Sequence, residues 1–148
     1  MSWKSFQEAS PELAQLVQER LNRKIAYLAT LKKDGSPRLH PVTPFIGNGM
    51  LFIFTEPSSP KISDLRRDDR YALHCSVERE EGKSLIEFLV SGRAIYIISD
   101  TVWAEAGRIA TSQVLTNAYV LFEFRIDNAL LVEYDKKENR AVQRWKRE

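Results

Sequence analysis

The first regular pattern along the chain is helical. Ser10 can cap free amide groups, Pro11 is tolerated at the first helical position and Glu12 suits the positive end of the helix dipole. Leu13, Leu16, Val17 and Leu21 then recur at helical spacing, which predicts a short amphipathic helix ending near Arg23 and packed on the body of the domain. From Ile25 the pattern shortens to β-rich runs. Residues 25–31 read as one strand, Asp34-Gly35 as a tight hairpin turn, residues 37–46 as a second strand, Gly47-Asn48-Gly49 as another turn and residues 50–55 as an apolar strand. Pro41 and Pro44 fall inside the second strand and cannot donate ladder hydrogen bonds. That strand is therefore expected to be irregular or an edge, with backbone free to meet a ligand.

A short helix is expected over residues 61–69, a strand over 71–77 and a charged turn over 78–83. The longest strand candidate, residues 84–98, is too long to stay flat, and Ser91-Gly92 near its middle predicts a bend or bulge. Ser99-Asp100 caps a second helix running to about Thr111, and strands over 118–134 and 138–145 follow. Two helices and a connecting helix thus accompany about seven strands. Short antiparallel strands joined by hairpins favour a small barrel over a parallel sheet, whose strands would each need a helical crossover. The expected fold class is mainly β with flanking helices, as one unit over residues 1–148.

Length supports that unit: 148 residues leave no room for separate cofactor and substrate domains at roughly 150 residues per domain. The charge is 22 − 20 = +2. It is uneven, because residues 136–148 hold six basic and two acidic side chains, a local +4 that leaves −2 for the rest. A near-neutral body does not suit a nucleic-acid surface. Cys75 is the only cysteine, which excludes an intramolecular disulfide and a multi-cysteine zinc site and fits a reducing cytoplasm. No run approaches the ~18 apolar residues of a membrane span, so a soluble cytoplasmic protein is expected.

Candidate chemistry concentrates between Thr55 and Lys61. This segment links an apolar strand to a helix, so Ser58 or Ser59 falls near the cap, Pro60 in the first turn and Lys61 beside free amide groups. Hydroxyls, a helix N-terminus and an ammonium together suit a phosphate monoester. Capping and a solvated lysine alone would produce the same pattern. Arg66, Arg67 and Arg70 are balanced by Glu56, Asp64, Asp68 and Asp69, which predicts a locally paired helix face. His74 and Cys75 are strand neighbours pointing to opposite faces, so they cannot form a nucleophile pair, and His40 and His74 are expected to be structural. No metal-ligand spacing and no nucleophile elbow occur. Trp145 sits in a basic stretch, Gln143-Arg144-Trp145-Lys146-Arg147, where packing of the last strand is favoured over cover for a flat anionic ligand.

The order of Tyr27-Leu28-Ala29-Thr30, Asp34-Gly35-Ser36-Pro37, His40-Pro41-Val42, Leu51-Phe52-Ile53-Phe54-Thr55, Lys61 and Asp64-Leu65-Arg66-Arg67-Asp68 resembles the pyridoxamine 5′-phosphate oxidase-like, flavin-binding split-barrel family over about residues 10–145. The resemblance implies an antiparallel split β-barrel of Greek-key type, and a homodimer with flavin mononucleotide (FMN) bound across the interface. It implies that Arg38, Leu39, His40, Pro41 and Val42 border the flavin ring and ribityl chain. Thr55 and Ser59 would contact ribityl or phosphate oxygens, and Lys61 would pair with the phosphate. The implied activity is FMN-dependent hydride transfer to or from a small substrate, with no acid or base assigned. An F420-dependent reductase and a non-catalytic flavin- or haem-binding protein are the alternatives. The oxidase proper carries a longer arginine-rich substrate segment where this sequence has only residues 143–147, so oxidation of pyridoxamine phosphate is not expected.

Overall fold

The computed structural model describes residues 1–77, 81–82, 84–111 and 113–148. The charged turn expected over 78–83 lies largely outside the described residues. In chain order the elements are α1 (Trp3–Ala9), α2 (Pro11–Leu21), β1 (Ala26–Leu31), β2 (Pro37–Val42), β3 (Phe45–Gly47), β4 (Met50–Thr55), α3 (Pro60–Arg67), β5 (Arg70–Cys75), β6 (Leu85–Tyr96), α4 (Asp100–Ile109), β7 (Val120–Tyr134) and β8 (Arg140–Lys146). All ladders are antiparallel, in the order β2-β1-β5-β6-β7-β4-β3, with β8 added to β7. The sheet curls into the half-barrel of a split-barrel fold. No described helix is long and apolar enough to cross a membrane.

Two features depart from the sequence reading. Residues 37–46 do not form one strand: the ladder stops at Val42 and restarts at Phe45, around Thr43-Pro44. β2 ends up at the sheet edge, paired with β1 alone. An extra helix, α1, precedes α2, capped by the Ser2 hydroxyl, which accepts from the Ser5 amide at 3.1 Å. It buries Trp3 and Phe6, and Trp145 of β8 meets Phe6 edge-on at 4.9 Å, so that tryptophan packs against the core.

Two apolar clusters explain why β4 is buried along its whole length. Leu51 and Ile53 face the barrel core with Leu28, Leu73, Phe88, Phe122 and the helical residues Phe6, Leu13 and Val17. Met50, Phe52 and Phe54 face the opposite way, against Phe45, Leu121 and Ala106 of α4. Each fully buried Leu or Phe contributes about 1.5–3 kcal/mol, so a strand buried on both faces anchors both layers.

The long strands bend where the sequence pattern placed the bend. The β6–β7 register shifts between Ser91, opposite Asn128, and Gly92, opposite Ile126, leaving Asp127 as the extra residue. A Cβ on Gly92 would stand 2.1 Å from the Arg125 carbonyl oxygen, a backbone atom held by the ladder. At Gly47 the equivalent Cβ would meet the Cδ1 end of Ile109 at 2.8 Å, a side chain that can turn aside.

Asp64 ties α3 to the sheet. The residue is 1% exposed, and its carboxylate accepts hydrogen bonds from Thr30 Oγ1 of β1 at 2.8 Å and Arg38 Nε of β2 at 2.6 Å. Arg67 approaches it at 3.5 Å and also donates to the Leu31 carbonyl at 3.1 Å. Burial pushes the Asp64 carboxyl pKa upward, but the Arg38 and Thr30 hydrogen bonds and the guanidinium charge outweigh it and leave it below the ordinary aspartate value. Of the charges after it, Arg70 holds Asp68 at 2.6 Å and brings its carboxyl down to about 2, and Arg93 pairs with Asp69, whereas Arg66 lies over the Tyr96 ring at 4.6 Å.

Gly92→Ala is expected to destabilise the domain by about 1–3 kcal/mol, roughly 3–10 °C in thermal unfolding, with a smaller effect for Gly47→Ala. Equal melting temperatures for wild type and Gly92→Ala would refute the backbone constraint. Asp64→Asn is expected to cost about 3–5 kcal/mol at neutral pH. Because the folded pKa is depressed, this stabilisation is present above the unfolded aspartate value and lost as pH falls through the folded one. Denaturant titrations should therefore show the wild-type advantage shrinking in acid.

Candidate functional site

The end of β2, the end of β4 and the start of α3 surround a cavity of about 360 Å³. Sequence and geometry meet here: β4 delivers Thr55 to the rim, Glu56-Pro57-Ser58-Ser59 turns back with the Ser59 amide donating to the Glu56 carbonyl at 3.0 Å, and Pro60 starts the helix. Of the residues singled out from sequence, Pro41, Val42, Thr55, Ser59 and Lys61 line this cavity. His40 is close enough for its charge to couple to Lys61. Arg38 is drawn to Asp64 and lines a neighbouring concavity instead, while Leu39 points outward and is 68% exposed. The alternation along β2 puts Arg38, His40 and Val42 on the more covered face.

Glu56, Thr43, Ile53, Phe54, Ile25 and Gln113 complete the wall and were not found from sequence. Glu56 follows Thr55 directly, and the sequence reading gives it only a part in the charge balance of the segment. Gln113 comes from the segment after α4 and carried no local signal.

The helix start differs from the arrangement expected for anion binding by free amides. The Lys61 amide donates to the Ser59 hydroxyl oxygen at 3.4 Å and the Ile62 amide to the Ser59 carbonyl at 3.2 Å, while Pro60 has no N–H. An anion here would therefore meet side chains: the Ser59 hydroxyl proton and the Lys61 ammonium.

Two observations make the cavity a candidate polar binding site. Thr55 Oγ1 is buried with no hydrogen-bond partner, as is Gln113 Oε1. Such an orphaned group costs about 1–3 kcal/mol until something satisfies it. Lys61 is half-buried and, among the described residues, has no carboxylate within 4.0 Å. Burial lowers its pKa; the Glu56 charge opposes this and the Arg38 charge adds to it. His40 is also pushed down, first by burial and then by Lys61 and Arg38, against the pull of Asp64. The Lys61 ammonium thus shares the cavity wall with the Glu56 carboxylate but makes no ion pair with it. No group of three or more metal-ligating side chains occurs among the described residues.

A sequence model of the family described as pyridoxamine 5′-phosphate oxidase matches residues 10–142. Comparison with curated protein sequences gives no match. Among solved structures, PhzG from Burkholderia lata 383, in complex with tetrahydrophenazine-1-carboxylic acid, is similar with a TM-score of 0.66 and 14% identity, over 98% of this chain and 87% of that one. HutZ, a haem storage protein from Vibrio cholerae, is similar at 0.58 and 18% identity, over 80% and 89%. A haem-binding protein from Mycobacterium smegmatis is similar at 0.61 and 15% identity, over 82% of this chain and 53% of that one, so this chain spans about half its length. At such identities the structural likeness concerns the fold. The sequence match covers most of the chain, which therefore belongs to the pyridoxamine 5′-phosphate oxidase family and carries its split-barrel fold.

Proposed function

We propose that the Lys61 cavity holds the phosphate and ribityl end of FMN and that the chain is an FMN-dependent oxidoreductase of the pyridoxamine 5′-phosphate oxidase-like family. The carrying observation is the pairing, on one cavity, of an unpartnered buried hydroxyl on Thr55 with a half-buried ammonium on Lys61 that has no carboxylate within 4.0 Å among the described residues. In this reading Lys61 and the Ser59 hydroxyl hold the phosphate, and Thr55 donates to a ribityl or phosphate oxygen. The open edge of β2 from Arg38 through Leu39, His40 and Pro41 to Val42 borders the ring with its unpaired backbone. Bound flavin would supply hydride transfer. The depressed pKa keeps His40 largely neutral at physiological pH, so it offers hydrogen bonding without a second cation beside Lys61.

The cavity is open, and a second copy of the chain is the natural cover. Ile25, Tyr27, Leu39 and Val77 leave 56%, 43%, 68% and 45% of their surfaces exposed. Tyr27 pairs in register with Pro41, and Ala29 with Leu39, so these side chains form a connected apolar face beside the site. A homodimer burying this face would exclude water from the ring. The buried free thiol of Cys75 fits a cytoplasmic setting.

A haem-binding reading has one observation of its own. His74 Nδ1 lies 2.6 Å from the Cys75 carbonyl oxygen, which accepts only, so Nδ1 carries the proton and the Nε2 lone pair is left free to bind a metal. His74 lines a concavity of about 780 Å³ with Tyr27 and two cations, Arg20 and Lys24, suited to propionates.

Fluorescence titration with FMN should give saturable binding that Lys61→Ala weakens about ten- to a hundredfold, the loss of one charge-assisted contact. Unchanged affinity in that variant would move the phosphate elsewhere. F420 titrated in parallel separates the deazaflavin alternative, because only the favoured cofactor is retained through gel filtration. Hemin titration tests the other reading: a Soret shift abolished by His74→Ala, without FMN retention, would favour haem.

A further inference from the structure

Two parts of the Lys61 cavity wall come from segments that no ladder joins. Val42 and Thr43 lie where β2 ends, and Gln113 belongs to the segment after α4, outside the sheet. Something other than strand pairing must set the distance between them. Arg23, exposed and just beyond α2, touches the supports of both. Its backbone amide donates to the Pro44 carbonyl at 2.9 Å, at the break between β2 and β3. Its guanidinium lies over the Phe45 ring, 5.7 Å from the centroid, and a terminal nitrogen donates to the Ile109 carbonyl at 2.8 Å. That carbonyl ends α4, where the last turn lacks intrahelical donors and the dipole favours a cation. Neighbouring Asn22 adds a second grip, its side-chain oxygen accepting from the Ile46 amide at 2.9 Å.

From Ile109 the path to the cavity is short. Ala110 is 1% exposed and packs in the apolar cluster of Phe45 and Phe52. Its carbonyl accepts from the Gln113 amide at 3.1 Å, so the chain turns on a buried pivot and sets Gln113 in the wall. The Gln113 side-chain oxygen is buried there without a donor. Arginine suits the tie, because a planar guanidinium can rest on a ring face while donating in its own plane. The backbone of Arg23 is held as well: its φ of 61° lies in the left-handed region, uncommon for a residue other than glycine and kept where the surroundings fix it.

We propose that Arg23 is a positioning residue of the Lys61 cavity: by tying the end of α4 to the β2–β3 break, it holds Gln113 at a fixed distance from Val42 and Thr43, with the buried Gln113 oxygen presented to a hydroxyl of the ligand. Taking that hydroxyl to be one of the ribityl chain rests on the flavin reading, whereas the tie itself does not.

Arg23→Gly removes the side chain alone, since glycine adopts a φ of 61° without strain and keeps the amide bond to Pro44. FMN is titrated by fluorescence into wild type, Arg23→Gly, Gln113→Ala and the double variant. Each single variant is expected to weaken FMN binding about fivefold, and the double variant to stay within about twofold of Gln113→Ala, because Arg23 acts through Gln113. Additive losses, or wild-type affinity in either single variant, would overturn the proposal. Amide hydrogen exchange on the ligand-free protein gives a second readout. Arg23→Gly should speed exchange at Ala110 and Gln113 about tenfold while the β6–β7 ladder exchanges as in wild type. Equal rates, or faster exchange throughout the domain, would overturn the tie. Local acceleration in a protein that does not bind FMN would refute the flavin reading and leave Arg23 as the residue that positions Gln113.

Discussion

A single buried carboxylate sets the geometry on which the site depends. Taking a carboxylate out of water costs several kcal/mol, and Asp64 recovers it only where β1, β2 and α3 converge on it. Lys61 and Asp64 are three residues apart on α3 and therefore share a face, so the acid that docks the helix also fixes how far the lysine stands from the edge of β2. The arrangement cannot slide, because a small shift of α3 would leave an unpaired charge in the interior. Arg38 serves both sides of the junction: it satisfies the carboxylate and adds to the positive potential felt by His40 and Lys61.

The barrel supplies the frame around that junction through two opposed layers. β4 buries alternate residues into different clusters, so the strand that ends at Thr55 is held from both faces. The bulge at Ser91 and Gly92 turns β6 and β7 together, which lets the first half of β7 pair with β4 and the second half with β8. Rigidity at the rim thus derives from packing far below it, which is the condition for a loop such as 56–59 to present hydroxyls in fixed positions.

What the sequence disclosed follows the range of the forces involved. Most strands, the Ser91-Gly92 bend, the Ser99 cap and the cluster of Thr55, Ser59 and Lys61 are encoded by residues a few positions apart, and local pattern sufficed. α1 has only Trp3 and Phe6 as buried apolar positions, too few to mark a period, and Phe6 meets its edge-on partner Trp145 near the other end of the chain. The place of Arg38 on β2 is legible in the sequence, but the carboxylate 26 residues away that holds its Nε is not. Gln113 reaches the cavity from beyond α4, and the orphaned Thr55 hydroxyl became visible only when its neighbours could be counted. Strand order likewise required the fold, since β4 pairs with β7 across four intervening elements.

The open edges of the sheet carry a further consequence. β2 has Pro37 and Pro41 among its six residues, β3 is three residues long, and β8 places Arg140, Arg144 and Lys146 at alternate positions. Missing donors, short length and repeated like charge each make a strand a poor template for another strand. A chain built this way resists runaway edge-to-edge polymerisation. The same edges leave side-chain surfaces as the route for any self-association, where shape and register limit how many copies can join.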